Sequence, residues 1–126
     1  MRVAQEKVRE FHEKHDYLCP DKPTLLEPDD VVHRVQLIQE ELDEYETAAI
    51  ERDLVEVADG LADILYVVLG TCVAHGIDIQ AIFDEVHRSN MTKDKLDPVT
   101  RKGGKGPNYE RPRVAEVLLM QTTGLV

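Results

Sequence analysis

The sequence predicts an all-α fold: a four-helix, bundle-like core followed by an irregular basic C-terminal tail. Three observations carry this. Apolar residues recur at three- and four-residue spacing, and few stretches alternate with period two. Helix starters and stoppers cut residues 1–91 into four helix-length segments. Beyond residue 91, Asp97-Pro98, Gly103-Gly104 and Gly106-Pro107 forbid long elements.

The first segment, Val3 to about Asp16, holds no Gly or Pro and spaces Val3, Val8 and Phe11 among charges; Cys19-Pro20 to Pro23 ends it. Glu27-Pro28-Asp29-Asp30 opens the second, with proline and acids in a first turn, and it runs to about Arg52. Asp53 caps the third, Leu54 to Ala74, which stops at His75-Gly76. Asp78 caps the fourth, which reaches about Met91. Val114 to Met120 reads as a short helix or strand. With 126 residues there is room for one domain, 1–126, with its helical core at about 1–91 and a tail or lid at about 92–126.

Composition excludes several functions. Net charge is −10, with no Trp and 5% aromatics, which is unsuited to gripping a nucleic-acid backbone. The longest run free of charged residues, Ile64–Ile77, is too short for a membrane span, so no membrane segment is expected. Glu6, Glu10 and Glu13 stand where a signal peptide needs apolar residues. Cys19 and Cys72 form neither a disulfide framework nor a zinc spacing, and a reducing cytoplasm is the expected setting. Charge is also uneven. Residues 1–91 carry net −13 and residues 92–126 net +3.

Two acidic stripes stand out. On the second segment Val31, Val35, Ile38, Leu42, Tyr45 and Ala49 form one stripe, read as ordinary core. Leu37, Glu41, Glu44 and Ala48 form another, so two glutamates sit among apolar neighbours, with Glu40 further round. The third segment is apolar nearly all round, the mark of a buried helix. Yet Glu56, Asp59 and Asp63 fall within roughly 60° of one face, and Tyr66 and Gly70 continue it. No Lys or Arg lies between Arg52 and Arg88. Such acids are rarely buried unless paired or coordinating, and oxygen ligands suit Mg²⁺ or Mn²⁺. Each stripe alone also reads as a solvated edge. A di-iron bundle is excluded for want of Glu-x-x-His pairs. The five His residues are read as surface or capping groups.

These residues resemble the all-α nucleoside triphosphate pyrophosphohydrolases, the MazG-like and phosphoribosyl-ATP pyrophosphohydrolase-like proteins. The resemblance rests on Glu40-Glu41-Leu42-Asp43-Glu44, the run from Glu56 to Tyr66, His75-Gly76-Ile77-Asp78, the run from Glu85 to Lys93, and Lys105-Gly106-Pro107-Asn108-Tyr109. It implies a Mg²⁺-dependent cut between the α- and β-phosphates, giving a nucleoside monophosphate and pyrophosphate. By position it implies Glu41, Glu44 and Asp63 as metal ligands. The family often carries Glu three residues before that Asp, where this chain has Gly60. Asp59, or Glu56 with Asp59, is the expected substitute.

The chemistry is consistent with these residues. Bound cations would let an acidic groove accept a polyanion, and Glu40 or Glu44 is placed to take a proton from water. Lys93 and the basic tail (Arg101, Lys102, Lys105, Arg111, Arg113) are expected at the phosphates, Tyr66 or Tyr109 at the base, and Asn90 among the substrate-binding residues. A helix so apolar also needs cover from a second subunit, so a homodimer or higher homo-oligomer is expected. Two other readings remain open: a non-catalytic helical interaction protein, and a metal-binding bundle without hydrolase activity.

Overall fold

The computed structural model describes residues 1–124. Among them are α1 (Arg2–Lys14), α2 (Pro28–Ile50), α3 (Leu54–Ala74), α4 (Ile79–Asn90), β1 (Asp94–Leu96), β2 (Gly103–Gly104) and α5 (Val114–Thr123). The fold is all-α, 64% helical, with one small hairpin. The last two residues of the expected tail lie outside the described residues. The chain divides into two compact units, Met1–Ile77 and Asp78–Val126, so α4 groups with the C-terminal segment.

The helix boundaries follow the sequence signals. Pro28 occupies the first turn of α2. Asp53 Oδ1 accepts from the Glu56 amide at 3.2 Å and so caps α3. Asp78 Oδ1 accepts from the Gln80 amide at 3.1 Å and caps α4. Gly76 adopts φ +67°, and a Cβ there would strike the Lys22 carbonyl oxygen. Only glycine meets both demands easily.

In the first unit α2 and α3 run antiparallel, since Arg34 meets Thr71, Glu41 meets Asp63 and Tyr45 meets Gly60. The helix α1 packs on α3. A Cβ on Gly60 would lie 3.2 Å from the Tyr45 Cα, so the two backbones touch where the family often has Glu. The absent side chain is what lets them approach.

Three expectations need correction. The stripe read as α2 core is largely uncovered in the chain: Val31, Val35, Leu42 and Ala49 are exposed, while Arg34 and Ala48 are buried. The face with Arg34, Leu37, Glu41 and Ala48 is the one that meets α3. Two competing stripes had similar spacing, and only the partner helix decides between them. In the same way α3 buries Gly60, Leu69, Gly70, Val73 and Ala74 but exposes Leu54, Val55, Leu61 and Leu65. Finally, α3 is long and apolar enough to cross a membrane by length and composition. Counting charge-free residues hid this, because Asp59 and Asp63 interrupt an otherwise apolar helix. One such helix is weak evidence for a span, since core helices share its composition.

The second unit is stitched by polar contacts. The Arg88 guanidinium holds Glu85 at 2.7 Å and Glu110 at 3.1 Å, and the Arg113 amide donates to Glu85 at 2.6 Å. These donors hold the Glu85 carboxyl at about 2, well below its ordinary value. The Ser89 hydroxyl donates to the Glu110 carbonyl at 2.8 Å. Gln121 bonds both the amide and the carbonyl of Asp78. The segment after α4 is therefore anchored to α4 at residues 110–113 and again through α5.

The Gly60 contact gives a direct test. Gly60→Ala is expected to lower the melting temperature. Overpacking costs about 1–3 kcal/mol, only partly offset by about 1 kcal/mol of helix propensity. An unchanged or higher midpoint in thermal denaturation would mean that α2 and α3 have room to part.

Candidate metal centre

The helices α2 and α3 bring Glu41, Glu44 and Asp63 to one point. One carboxylate oxygen from each lies within 4.8 Å of the others. Glu41 and Asp63 are half-buried and Glu44 is exposed, so the site opens to solvent on one side. Glu41 Oε2 is buried and has no hydrogen-bond partner among the described residues. Burial, then Glu44 and Asp63, pushes the Glu41 carboxyl above its ordinary range. Burial, then Asp59 and Glu44, does the same to Asp63. Among the described residues no Lys or Arg forms an ion pair with these three carboxylates, which make a donor set suited to a hard divalent cation; the unpartnered Glu41 oxygen fits such a ligand.

The other expected residues are placed differently. Glu40 is exposed beside Glu41 and adds to its repulsion. Asp59 is exposed one turn before Asp63. Neither belongs to the three-carboxylate cluster, nor does Glu56. Glu56 instead lines an open cleft of about 340 Å³ with Asp43, Glu44 and Glu51. Tyr66 stands edge-on to Phe11, ring centres 5.7 Å apart, and lines a cavity of about 280 Å³ with Leu37. In the second unit Asn90 ends α4, and Lys93 packs its stem where Gly103 has no side chain. There Lys105 Nζ lies 5.3 Å from the centre of the Tyr109 ring.

Sequence reasoning missed His12 and Arg34. His12 is 3% exposed, not a surface group, and donates from Nδ1 to the Leu18 carbonyl at 2.9 Å. Arg34 is 9% exposed and donates to Thr71 Oγ1 at 3.1 Å and to the Val67 carbonyl at 2.9 Å. A signal was present for Arg34, which falls on the stripe of Leu37, Glu41 and Ala48. For His12 the signal was its place four residues after Val8, on the same face of α1, the face that helix buries. Of the other histidines, His15 and His75 end α1 and α3, and His33 and His87 are exposed, as expected.

Two antiparallel helices thus present three carboxylates to one point. The chain belongs to the phosphoribosyl-ATP pyrophosphohydrolase family, which matches residues 8–90, from α1 through the end of α4. No curated protein matches the chain. Family membership indicates a pyrophosphohydrolase, of a type that commonly depends on metal.

A carboxyl whose pKa rises on folding binds its proton more tightly in the folded state. Glu41 and Asp63 therefore weaken the metal-free fold at neutral pH, and that penalty fades as pH falls through the raised values toward the ordinary carboxyl range. Glu41→Gln is expected to raise the metal-free melting temperature at pH 7, with the advantage shrinking on acidification. Millimolar Mg²⁺ or Mn²⁺ should raise the wild-type midpoint by mass action and leave Glu41→Gln nearly unmoved. A wild-type melt indifferent to both ions would contradict the site.

Proposed function

We propose that the protein hydrolyses nucleoside triphosphates between the α- and β-phosphates, releasing a nucleoside monophosphate and pyrophosphate. The carrying observation is the convergence of one carboxylate oxygen each from Glu41, Glu44 and Asp63 within 4.8 Å, in a cluster whose Glu41 also has a buried, unpartnered Oε2. These three residues would hold Mg²⁺ or Mn²⁺. When bound, the cation supplies charge neutralisation at the phosphates and a more acidic water. Glu44, the exposed member, and Glu40 beside the cluster are the groups that accept the proton of the attacking water. Glu41 and Asp63, half-buried, fix the donor geometry. Asp59 and Glu56 add negative potential from α3. Tyr66, Asn90, Lys93, Lys105 and Tyr109 enter this reading through their motifs alone, as substrate-binding groups. A reducing cytoplasm suits the two free cysteines.

Incubating the protein with a panel of ribo- and deoxyribonucleoside triphosphates and Mg²⁺ should yield monophosphate and pyrophosphate in equal amounts. Glu44→Gln should lower kcat/KM by about 100-fold or more while the helical content persists. Release of orthophosphate instead, or no turnover across the panel, would contradict the reading.

The same reading includes a homodimer or larger homo-oligomer. Leu54 is 79% and Val55 76% exposed at the start of α3, and the Val31, Val35 and Leu42 stripe of α2 is uncovered as well. Apolar area of this kind on a soluble chain marks a protein contact, and a symmetric pair is the commonest arrangement. Sedimentation should give a dimer or larger species, and a single species near 14.3 kDa would contradict it.

A further inference from the structure

One turn along the α2–α3 groove from the acid cluster the chemistry changes. Leu37 lies four residues before Glu41 and Tyr66 three residues after Asp63. Both line the 280 Å³ cavity, whose floor includes Arg34, His12 and Gly70. A second cavity of about 220 Å³ shares His12, Tyr17, His33 and Arg34 with it. Arg34 and His12 crowd onto Gly70, where a Cβ would lie 2.6 Å from Arg34 Nη2 and 3.0 Å from His12 Nε2.

Arg34 is unusual in its partners. Its Nε and Nη2 donate to Thr71 and to the Val67 carbonyl, both neutral. No carboxylate of the described residues forms an ion pair with it, although Asp16 and Asp30 line the smaller cavity. Its Nη1 donates to none of the described residues. A guanidinium buried with spare donors calls for an acceptor from outside. His12, whose Nδ1 proton goes to Leu18, is held neutral by burial, and the nearby Arg34 charge opposes its protonation, so Nε2 stays an acceptor. Exposed Phe11, Tyr17 and Tyr66 supply aromatic walls, with Phe11 ring centres 6.1 Å from Tyr17 and 5.7 Å from Tyr66.

We propose that this cavity is the base subsite of the enzyme, and that Arg34 selects a 6-oxopurine. The inference rests on the pyrophosphohydrolase reading of the acid cluster. Arg34 precedes Glu41 by two helical turns, about 10 Å along the axis, a separation suited to phosphates at the acids and a base at the guanidinium. Aromatic walls take a flat ring. Spare guanidinium donors match the adjacent O6 and N7 acceptors of a 6-oxopurine, whereas a 6-aminopurine offers a donor at that edge. Phosphate is a poorer occupant, because Asp16 and Asp30 would repel an anion.

The test compares dGTP and dATP as substrates, and dGMP and dAMP as metal-free ligands by calorimetry. Wild type should favour dGTP in kcat/KM and dGMP in binding. Arg34→Met should shrink the dGTP-to-dATP ratio about tenfold or more. Tyr17→Ala should weaken dGMP binding. A purely structural Arg34 would lower both substrates together and leave the ratio unchanged, which overturns the proposal, as does a wild-type preference for dATP. If Arg34→Met does not fold, Thr71→Val, which removes an acceptor orienting Arg34, is judged by the same ratio. If wild type cleaves no triphosphate, the hydrolase reading fails by itself. The monophosphates then decide: dGMP preference lost in the Arg34 or Thr71 variant sustains the subsite, and equal binding of dGMP and dAMP overturns it.

Discussion

Mutual repulsion among Glu41, Glu44 and Asp63 is the constraint around which the first unit is built. Three carboxylates that each bring an oxygen within 4.8 Å of the others, with Glu41 Oε2 buried and unpartnered besides, cost the folded chain stability wherever all are ionised. No base of the described residues relieves them. The protein tolerates the strain because the acids are set into two helices held together elsewhere. A divalent cation would relieve that repulsion at the same geometry.

What holds those helices is partly the absence of side chains. Gly60 lets α3 approach the α2 backbone at Tyr45, and Gly70 makes room for Arg34 and His12. Arg34 then ties α2 to α3 by hydrogen bonds to Thr71 and to the Val67 carbonyl. Gly60 stands where the resembled family often carries Glu. A long side chain there would have to displace the facing backbone. The acid cluster is thus made by Glu41 and Glu44 from α2 with a single α3 carboxylate, Asp63.

Much of this was legible in the sequence because it is local. Pro28, Asp53, Gly76 and Asp78 act on their own backbones, so the helix limits follow from residue type. Helical spacing put Glu41 and Glu44 on one stripe and Glu56, Asp59 and Asp63 on the other, and only the family resemblance singled out Asp63 among the three. What could not be read depends on tertiary pairing. Two apolar stripes on α2 competed, and the one with more aliphatic residues is the exposed one. Periodicity marks a face as apolar without saying whether this chain or another covers it. The spacing of His12 from Val8 puts it on the buried face of α1, but its hydrogen bond to the Leu18 carbonyl depends on the turn after α1, which no spacing encodes. The 94–104 hairpin is too short to leave a period.

The central claim is that Glu41, Glu44 and Asp63 bind one divalent cation jointly. Titrating Mn²⁺ into the protein while following the free-ion signal by electron paramagnetic resonance measures this directly. Wild type is expected to remove Mn²⁺ from the free pool with saturation, Asp63→Asn to do so far more weakly, and Asp59→Asn to stay close to wild type. Equal Mn²⁺ uptake by wild type and Asp63→Asn would contradict the account.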